Sequence, residues 1–188
     1  VQVSDGSLTG SQAIAVTVTP VNDNAPVITS DGGGAVAAIN VAENTTAVTT
    51  VAATDADLPA QTLTYSISGG ADATMFTINA STGALSFLAA PDHEAPTDAN
   101  ADNIYDVVVQ VSDGSLTDTQ AIAVTVTPVN DNAPVITSNG GGASAAVNVA
   151  ENTTAVTTVT ASDADLPAQT LTFSISGGAD AGKFTIDA

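Results

Sequence analysis

Basic residues, cysteine and tryptophan are almost or wholly missing from this 188-residue chain. It has 20 acidic side chains against one lysine, no Cys and no Trp, and its formal net charge is −19. Nucleic acid is excluded as a partner because affinity for phosphates depends on Lys and Arg, and an anionic membrane surface is excluded for the same reason. Without Cys there is no disulfide framework, thiolate metal site or cysteine nucleophile. No apolar run approaches the roughly 18 residues of a membrane-spanning helix, so we expect no membrane insertion in this segment.

What the chain does have is an apolar fraction of 44%. That fraction is typical of a folded protein, because a disordered acidic chain has fewer Val, Ile and Leu residues. Charged residues make up only 11% of the sequence and are nearly all acidic. In a folded chain these carboxylates must be solvated or neutralised by something that the chain does not supply. A bound cation is the obvious candidate.

The sequence repeats itself after 108 residues. The segment VQVSDGSL begins at Val1 and again at Val109, and PVNDNAPVITS begins at Pro20 and again at Pro128. Only 11 of the 80 overlapping positions differ. A period of this length is that of a whole domain rather than a solenoid unit. We therefore expect a piece of a longer tandem array, with the end of one domain over residues 1–26, a complete domain over residues 27–134 and the start of a third over residues 135–188.

Within one period, seven segments favour β-strands because β-branched residues alternate with polar ones between Gly, Pro, Asp and Asn turns. They are Val36–Val41, Ala47–Thr54, Thr62–Ser68, Met75–Asn79, Ala84–Leu88, Ile104–Ser112 and Gln120–Thr127. Seven short strands in about 100 residues predict an all-β fold of tandem seven-strand Greek-key β-sandwiches, one per repeat. Because aromatic residues amount to 3%, we expect a core of Val, Ile, Leu and Ala. The few aromatics that fall in strands are also expected inside: Tyr65, Phe76, Phe87 and Tyr105.

Carboxylates recur at fixed positions in the two copies. Twelve of the 20 acids lie in short shared motifs: Glu43 and Glu151 in AEN, Asp55, Asp57, Asp163 and Asp165 in DAD, Asp92 and Glu94 in DHE, Asp5 and Asp113 in SDG, and Asp23 and Asp131 in NDNAP. Calcium takes six to eight oxygen ligands from carboxylates, amides and carbonyls. Asp and Asn are also common in turns, where they bond to their own backbone. A single such motif fits either interpretation, but the recurrence of the whole set favours calcium.

These motifs, in this order and at about this spacing, resemble those of the cadherin repeat. They are most similar to the tandem cadherin-like domains of large bacterial surface proteins and adhesins. The resemblance implies a seven-strand cadherin-type or Ig-like sandwich that binds Ca²⁺ between successive domains. It also implies two junctions in this chain.

The ligands implied by the resemblance fall into two sets. At the second junction they are Glu43, Asp92, Glu94, Asn130, Asp131, Asn132, Asp163 and Asp165, and at the first they are Asn22, Asp23, Asn24, Asp55, Asp57 and Asp113. The family's linker commonly begins with an Asp where this chain has Pro20 and Pro128. Either two or three ions per junction are therefore compatible with the sequence. The absence of Trp removes the anchor for the strand exchange of vertebrate cadherins.

Two further features are weaker candidates. Asp98, Asn100 and Asp102 have the 1, 3, 5 spacing of a calcium loop, but Asn103 replaces the glycine at position 6 and no Glu follows at position 12. An ordinary acidic surface loop explains them equally well. The single histidine, His93, lies beside two carboxylates, but calcium prefers oxygen, and we expect an exposed side chain there. One His without a second copy also argues against a Ser-His-Asp site.

The sequence thus predicts a non-enzymatic, calcium-rigidified extracellular repeat. It would act as an extension module of a cell-surface adhesin or matrix fibre, with calcium ions and neighbouring repeats as its partners. The alternative is a repeat that itself binds surface glycans or other copies of the chain. That alternative predicts exposed aromatics or a variable loop, and neither is evident.

Overall fold

A computed structural model of the chain describes residues 1–187, which form an all-β protein with short 3₁₀ turns. The strands are β1 (Gln2–Ser4), β2 (Thr9–Ser11), β3 (Val27–Ile28), β4 (Val36–Ala42), β5 (Ala47–Thr50), β6 (Ala53–Thr54), β7 (Thr64–Gly69), β8 (Phe76–Ile78), β9 (Ala84–Phe87), β10 (Ile104–Ser112), β11 (Thr117–Thr127), β12 (Val135–Ile136) and β13 (Ala161–Ser162). The 3₁₀ turns span Ser30–Gly32, Ala73–Met75, Ser138–Gly140 and Ala181–Lys183. Within this part of the chain, no helical segment has the length and apolar character needed to cross a membrane.

A β-sandwich forms the central part of the chain. One sheet has the strand order β4–β11–β10–β7, and the facing strands are the β5–β9–β8 sheet and the β3–β6 pair. Strand β4 runs parallel to β11, whereas the other pairs of the sandwich are antiparallel. The predicted all-β sandwich is confirmed.

The long hairpin β10–β11 carries most of the core. Alternate residues of β10, from Tyr105 to Val111, are buried, and so are alternate residues of β11 from Gln120 to Val126. This follows from the period-two alternation of side chains in a strand. The turn is fixed by Asp113, whose Oδ1 accepts the backbone N–H of the next residues but one and two at 2.7 Å each. The SDG segment is therefore a hairpin connection, as predicted.

Three aromatic rings join the aliphatic core. Phe76 and Phe87 stack with ring centroids 4.5 Å apart, and the edge of Tyr105 meets Phe87 at 5.2 Å. Tyr65 is only half-buried, and alanine contributes to the margin of the core rather than to its centre. The buried cluster lies entirely within residues 28–126.

Two strand predictions differ from the structure. The predicted strand Ala47–Thr54 divides into β5 and β6, which pair with β9 and β3 respectively. The chain changes partners at the buried Val51, so the Val/Thr alternation continues through a break in pairing. Strand β3 was not predicted, because a two-residue strand behind Pro26 shows no alternation.

Shorter hairpins lie on either side of the sandwich. In the β1–β2 pair, Gln2 faces Ser11, which is the register of Gln110 and Thr119 in β10–β11 shifted by 108 residues. After the sandwich, β12 pairs with β13 as β3 pairs with β6. The repeat in the sequence is therefore matched by a repeat in local structure. The domain boundaries at residues 26 and 134 stay a prediction.

Candidate metal centres

Carboxylates gather in three groups in the part of the chain that the structure describes. Within each group, one oxygen atom from each residue lies within 4.8 Å of the others. The upper group is Asp55, Asp57 and Asp113; the lower group is Glu43, Asp92 and Glu94; the linker group is Glu94, Asp131 and Asp165. All of these residues belong to the ligand set that the sequence predicts.

The upper group forms because β6 and β10 end on the same side of the sandwich. Asp57 is 5% exposed and accepts the backbone N–H groups of Asp23 and Asn24 at 3.1 and 3.0 Å. The amide of Asn22, with its nitrogen turned toward the carboxylates, donates to Asp113 Oδ2 at 3.1 Å and to Asp57 Oδ2 at 3.2 Å. Turned over, the same amide presents an oxygen to the group. The NDN segment at residues 22–24 is thus folded directly onto the upper carboxylates.

The lower group joins the end of β4 to the loop after β9. Glu43 is 2% exposed, and its two oxygens accept the N–H of His93 at 2.8 Å and of Val129 at 2.6 Å. The N–H of Glu94 donates to Asp92 Oδ1 at 2.9 Å. Glu43 therefore ties the DHE loop and the start of the next linker to one point.

The linker group connects the sandwich to the segment that follows. The backbone and side-chain N–H groups of Asn132 donate to Asp165 Oδ1 at 3.1 and 2.9 Å. From the other side, Glu94 Oε1 accepts the N–H of Leu166 at 2.9 Å, and the Asn44 amide donates to Asp131 Oδ2. Glu94 belongs to both this group and the lower one, so it links the two.

Several of these carboxyl groups are held in the ionised form. The side-chain and backbone N–H groups of Asn24 lower the pKa of Asp57, and the Asn132 amide does the same for the pKa of Asp165. Burial acts to raise the pKa of Glu43, but the N–H groups of His93 and Val129 outweigh it and the pKa is lowered. These groups therefore carry full negative charge at neutral pH.

Compensating cations are scarce among the described residues. Lys183 pairs with Asp180 at 2.6 Å, and His93 Nδ1 lies 3.6 Å from Glu94 Oε1. Asp55 Oδ2 in the upper group and Glu94 Oε2 in the lower and linker groups are buried and have no hydrogen-bond partner. Like charges this close repel one another, and an all-oxygen donor set suits Ca²⁺. The residues present therefore fit a calcium ion.

Comparison with known proteins identifies the fold. The family model for the cadherin domain matches residues 37–127. This part of the chain is a cadherin domain. The resemblance of the sequence motifs to the cadherin repeat is confirmed, and β4 through β11 are the strands of that domain.

Relatives extend the match beyond that domain. The chain is 31% identical over 188 residues to Protocadherin Fat 1 of Homo sapiens, which covers 96% of this chain and 4% of that protein. It is 34% identical over 185 residues to Cadherin-16 of Oryctolagus cuniculus, with 92% and 22% covered. Among solved structures, extracellular cadherin domains 3–6 of Protocadherin Gamma B2 superpose with a TM-score of 0.58 at 27% identity, covering 84% of this chain and 39% of that one. The chain thus spans less than a quarter of either of these two curated relatives.

Some predicted ligands lie elsewhere. Asp163 accepts the N–H of Asp165 at 3.1 Å but joins none of the three groups. Its counterpart Asp55 joins the upper group through Asp113, and the 188 residues include no counterpart of Asp113 near Asp163. The Asn130 amide turns to Gln169 Oε1 at 2.9 Å rather than to a carboxylate.

The acidic loop at residues 96–103 satisfies its own carboxylates. Asp98 is 7% exposed, and its two oxygens accept the N–H groups of Asp102 at 2.9 Å and Asn103 at 3.2 Å. The Asn100 amide donates to Asp102 Oδ2 at 2.8 Å. The loop brings no third carboxylate into a group, so its use as a calcium site stays a prediction.

Other residues near the groups depart from the prediction or were not predicted. The side chain of His93 is 19% exposed rather than fully exposed, because it packs beside Glu94. Asn44 and Gln169 contact Asp131 and Asn130, two predicted ligands. Both belong to motifs that recur in the sequence, AEN and DADLPAQ, and that recurrence was the available signal.

Proposed function

We propose that this chain is a calcium-binding extracellular repeat that serves as a rigid extension module of a surface adhesin or matrix fibre. One observation carries the proposal: carboxylates that lack cationic partners meet at both ends of the cadherin domain, where the linkers at residues 22–24 and 130–132 reach them. The proposal includes the tandem organisation of residues 1–26, 27–134 and 135–188. Solved relatives described as extracellular cadherin domains support the extracellular setting.

The ion would be held by residues from both sides of a linker. At the second junction these are Glu43, Asp92, Glu94, Asp131 and Asp165, and at the first Asn22, Asp57, Asp55 and Asp113. Bound there, calcium would neutralise the repulsion among carboxylates and fix the angle between successive domains. Glu94 belongs to two groups, which supports at least two ions at that junction. These carboxylates serve the junctions, and we infer no catalytic role for them.

Calcium titration by calorimetry tests the proposal. The chain should bind calcium, and Asp131→Asn should reduce the number of ions by more than one, because Asp131 lies where the linker and both neighbouring segments meet. The matched control is Asp106→Asn, which removes one negative charge from an exposed position of β10 outside the three groups. An Asp131→Asn protein with the wild-type number of ions would show that the linker is not the site. Retention of a glycan by a chain that binds no calcium would favour the alternative.

A further inference from the structure

We propose that Asn103 is a positioning residue that holds the Asp92–Glu94 segment in its calcium-binding arrangement. The proposal rests on the calcium-binding function above. It gives a role to the acidic loop at residues 96–103, in which the ligand spacing is present but the carboxylates are satisfied within the loop. The argument runs through three sets of hydrogen bonds.

The first set gives Asn103 its conformation. Asp98 accepts the N–H groups of Asp102 and Asn103 at 2.9 and 3.2 Å. Asn103 has φ +64°, in the left-handed region, which Asn tolerates better than most residues. Asp98 is 7% exposed, so the turn is anchored by a buried carboxylate.

The second set fastens the loop to the sandwich. The buried Asp72 accepts the N–H groups of Ala99 at 2.7 Å and Asp106 at 2.8 Å. On the other side of the turn, the Asn103 carbonyl accepts the N–H of Val126 in β11 at 2.9 Å. The position of Asn103 is therefore set by the core sheet and not by solvent-exposed loop residues.

The third set reaches the ligands. Asn103 Nδ2 donates to the His93 carbonyl at 3.0 Å, while the His93 N–H donates to Glu43 Oε2 at 2.8 Å. Both backbone polar groups of the residue between Asp92 and Glu94 are thereby fixed. Asn103 Oδ1 is buried without a partner, so the bond to His93 is the one that the amide makes among the described residues. Removing the amide therefore frees one side of the ligand segment.

A group that holds a ligand in place without touching the ion commonly changes metal affinity by about 10–100-fold. We expect the lower end of that range here, because Asn103 acts through the backbone of His93. Asn103→Gly removes the amide and keeps the left-handed conformation accessible. The matched control is Asn139→Gly, since Asn139 has φ +51° and its amide oxygen accepts a hydrogen bond from Thr157.

The experiment is a calcium titration of the whole chain, with thermal unfolding in calcium and in chelator. Glu94→Gln identifies the ions that depend on the lower and linker groups. Asn103→Gly should weaken those ions about tenfold and reduce the rise in unfolding midpoint that calcium produces, while Asn139→Gly leaves both unchanged. A merely structural loss would lower the midpoints in calcium and in chelator equally, and that result would overturn the proposal. So would equal weakening by the two glycine variants.

Should Asn103→Gly not fold, Asn103→Asp keeps the shape and the left-handed preference and replaces the donor with an oxygen. It should weaken the same ions. Wild-type affinity in that variant would also overturn the proposal. A wild-type chain that binds no calcium would instead refute the proposed function itself, so the two failures are distinguishable.

Discussion

Replacing Glu94 with Gln should have opposite effects on stability with and without calcium. Glu94 belongs to two carboxylate groups, so it lies near four other acids, Glu43, Asp92, Asp131 and Asp165, with ligand oxygens within 4.8 Å in each group. Its Oε2 is buried without a partner, and its Oε1 accepts the N–H of Leu166 at 2.9 Å. Gln keeps an oxygen for Leu166 and places an N–H donor where the unpartnered oxygen stood.

The size of the effect follows from Coulomb's law. Two unit charges 4.8 Å apart repel by about 0.9 kcal/mol in water and about 3.5 kcal/mol at an effective dielectric constant of about 20. Asp92 and Asp131 are exposed, so the lower value applies to them. We therefore expect Glu94→Gln to stabilise the calcium-free protein by about 1–3 kcal/mol. At about 4–8 °C per kcal/mol for a domain of this size, the midpoint should rise by at least about 5 °C.

In calcium the sign should reverse. A site filled at about a hundred times its dissociation constant adds about 2.7 kcal/mol to the folded state, and the variant has lost a charged ligand shared by two groups. The assay is thermal unfolding by circular dichroism in calcium and in chelator at fixed ionic strength, because salt screens exposed charges. Asp106→Asn is the control and should change neither midpoint by much. Equal destabilisation by Glu94→Gln in both buffers would mean that Glu94 is a structural acceptor and not a ligand.

Two other outcomes can be measured directly. A protein of two whole repeats should be a rod in calcium and a flexible pair in chelator, because repelling carboxylates no longer fix the linker; small-angle scattering would contradict this if the maximum dimension were identical in both. In chelator, stability should be level above about pH 5 and fall below about pH 4, because the pKa values of Glu43, Asp57, Asp113 and Asp165 are lowered on folding and such groups lose their contribution as pH falls through the folded value. Urea midpoints across pH report this, and a rise on acidification would show that repulsion outweighs the hydrogen bonds.

Strand positions were predictable wherever alternation extended over several residues. Ile104–Ser112 was predicted with the bounds that the structure has, because nine residues of alternation leave one register. The division at Val51 and the two-residue strand β3 depend on which strands pair, and pairing is a property of the whole sandwich. Local patterns do not contain it.

The candidate ligands were predictable for a different reason. Their motifs recur, and eight of them, Glu43, Asp55, Asp57, Asp92, Glu94, Asp113, Asp131 and Asp165, meet in the three groups. The same DAD motif behaves differently in its second copy, because Asp163 has no neighbour equivalent to Asp113. Asn103 could not be assigned a role from sequence, since the spacing of its loop resembles a metal loop while its amide serves His93 at 3.0 Å.

The linker itself explains why rigidity should depend on an ion. Asn44 from the sandwich side donates to Asp131, and Asn132 donates to Asp165 on the far side. These neutral donors set the path of the backbone, but they leave the carboxylates of Glu94, Asp131 and Asp165 facing one another. Hydrogen bonds thus bring the charges together and cannot neutralise them. A cation that every junction collects from solution would do so, and because the linker and its carboxylates recur almost unchanged after 108 residues, each added repeat would extend the rod by the same means.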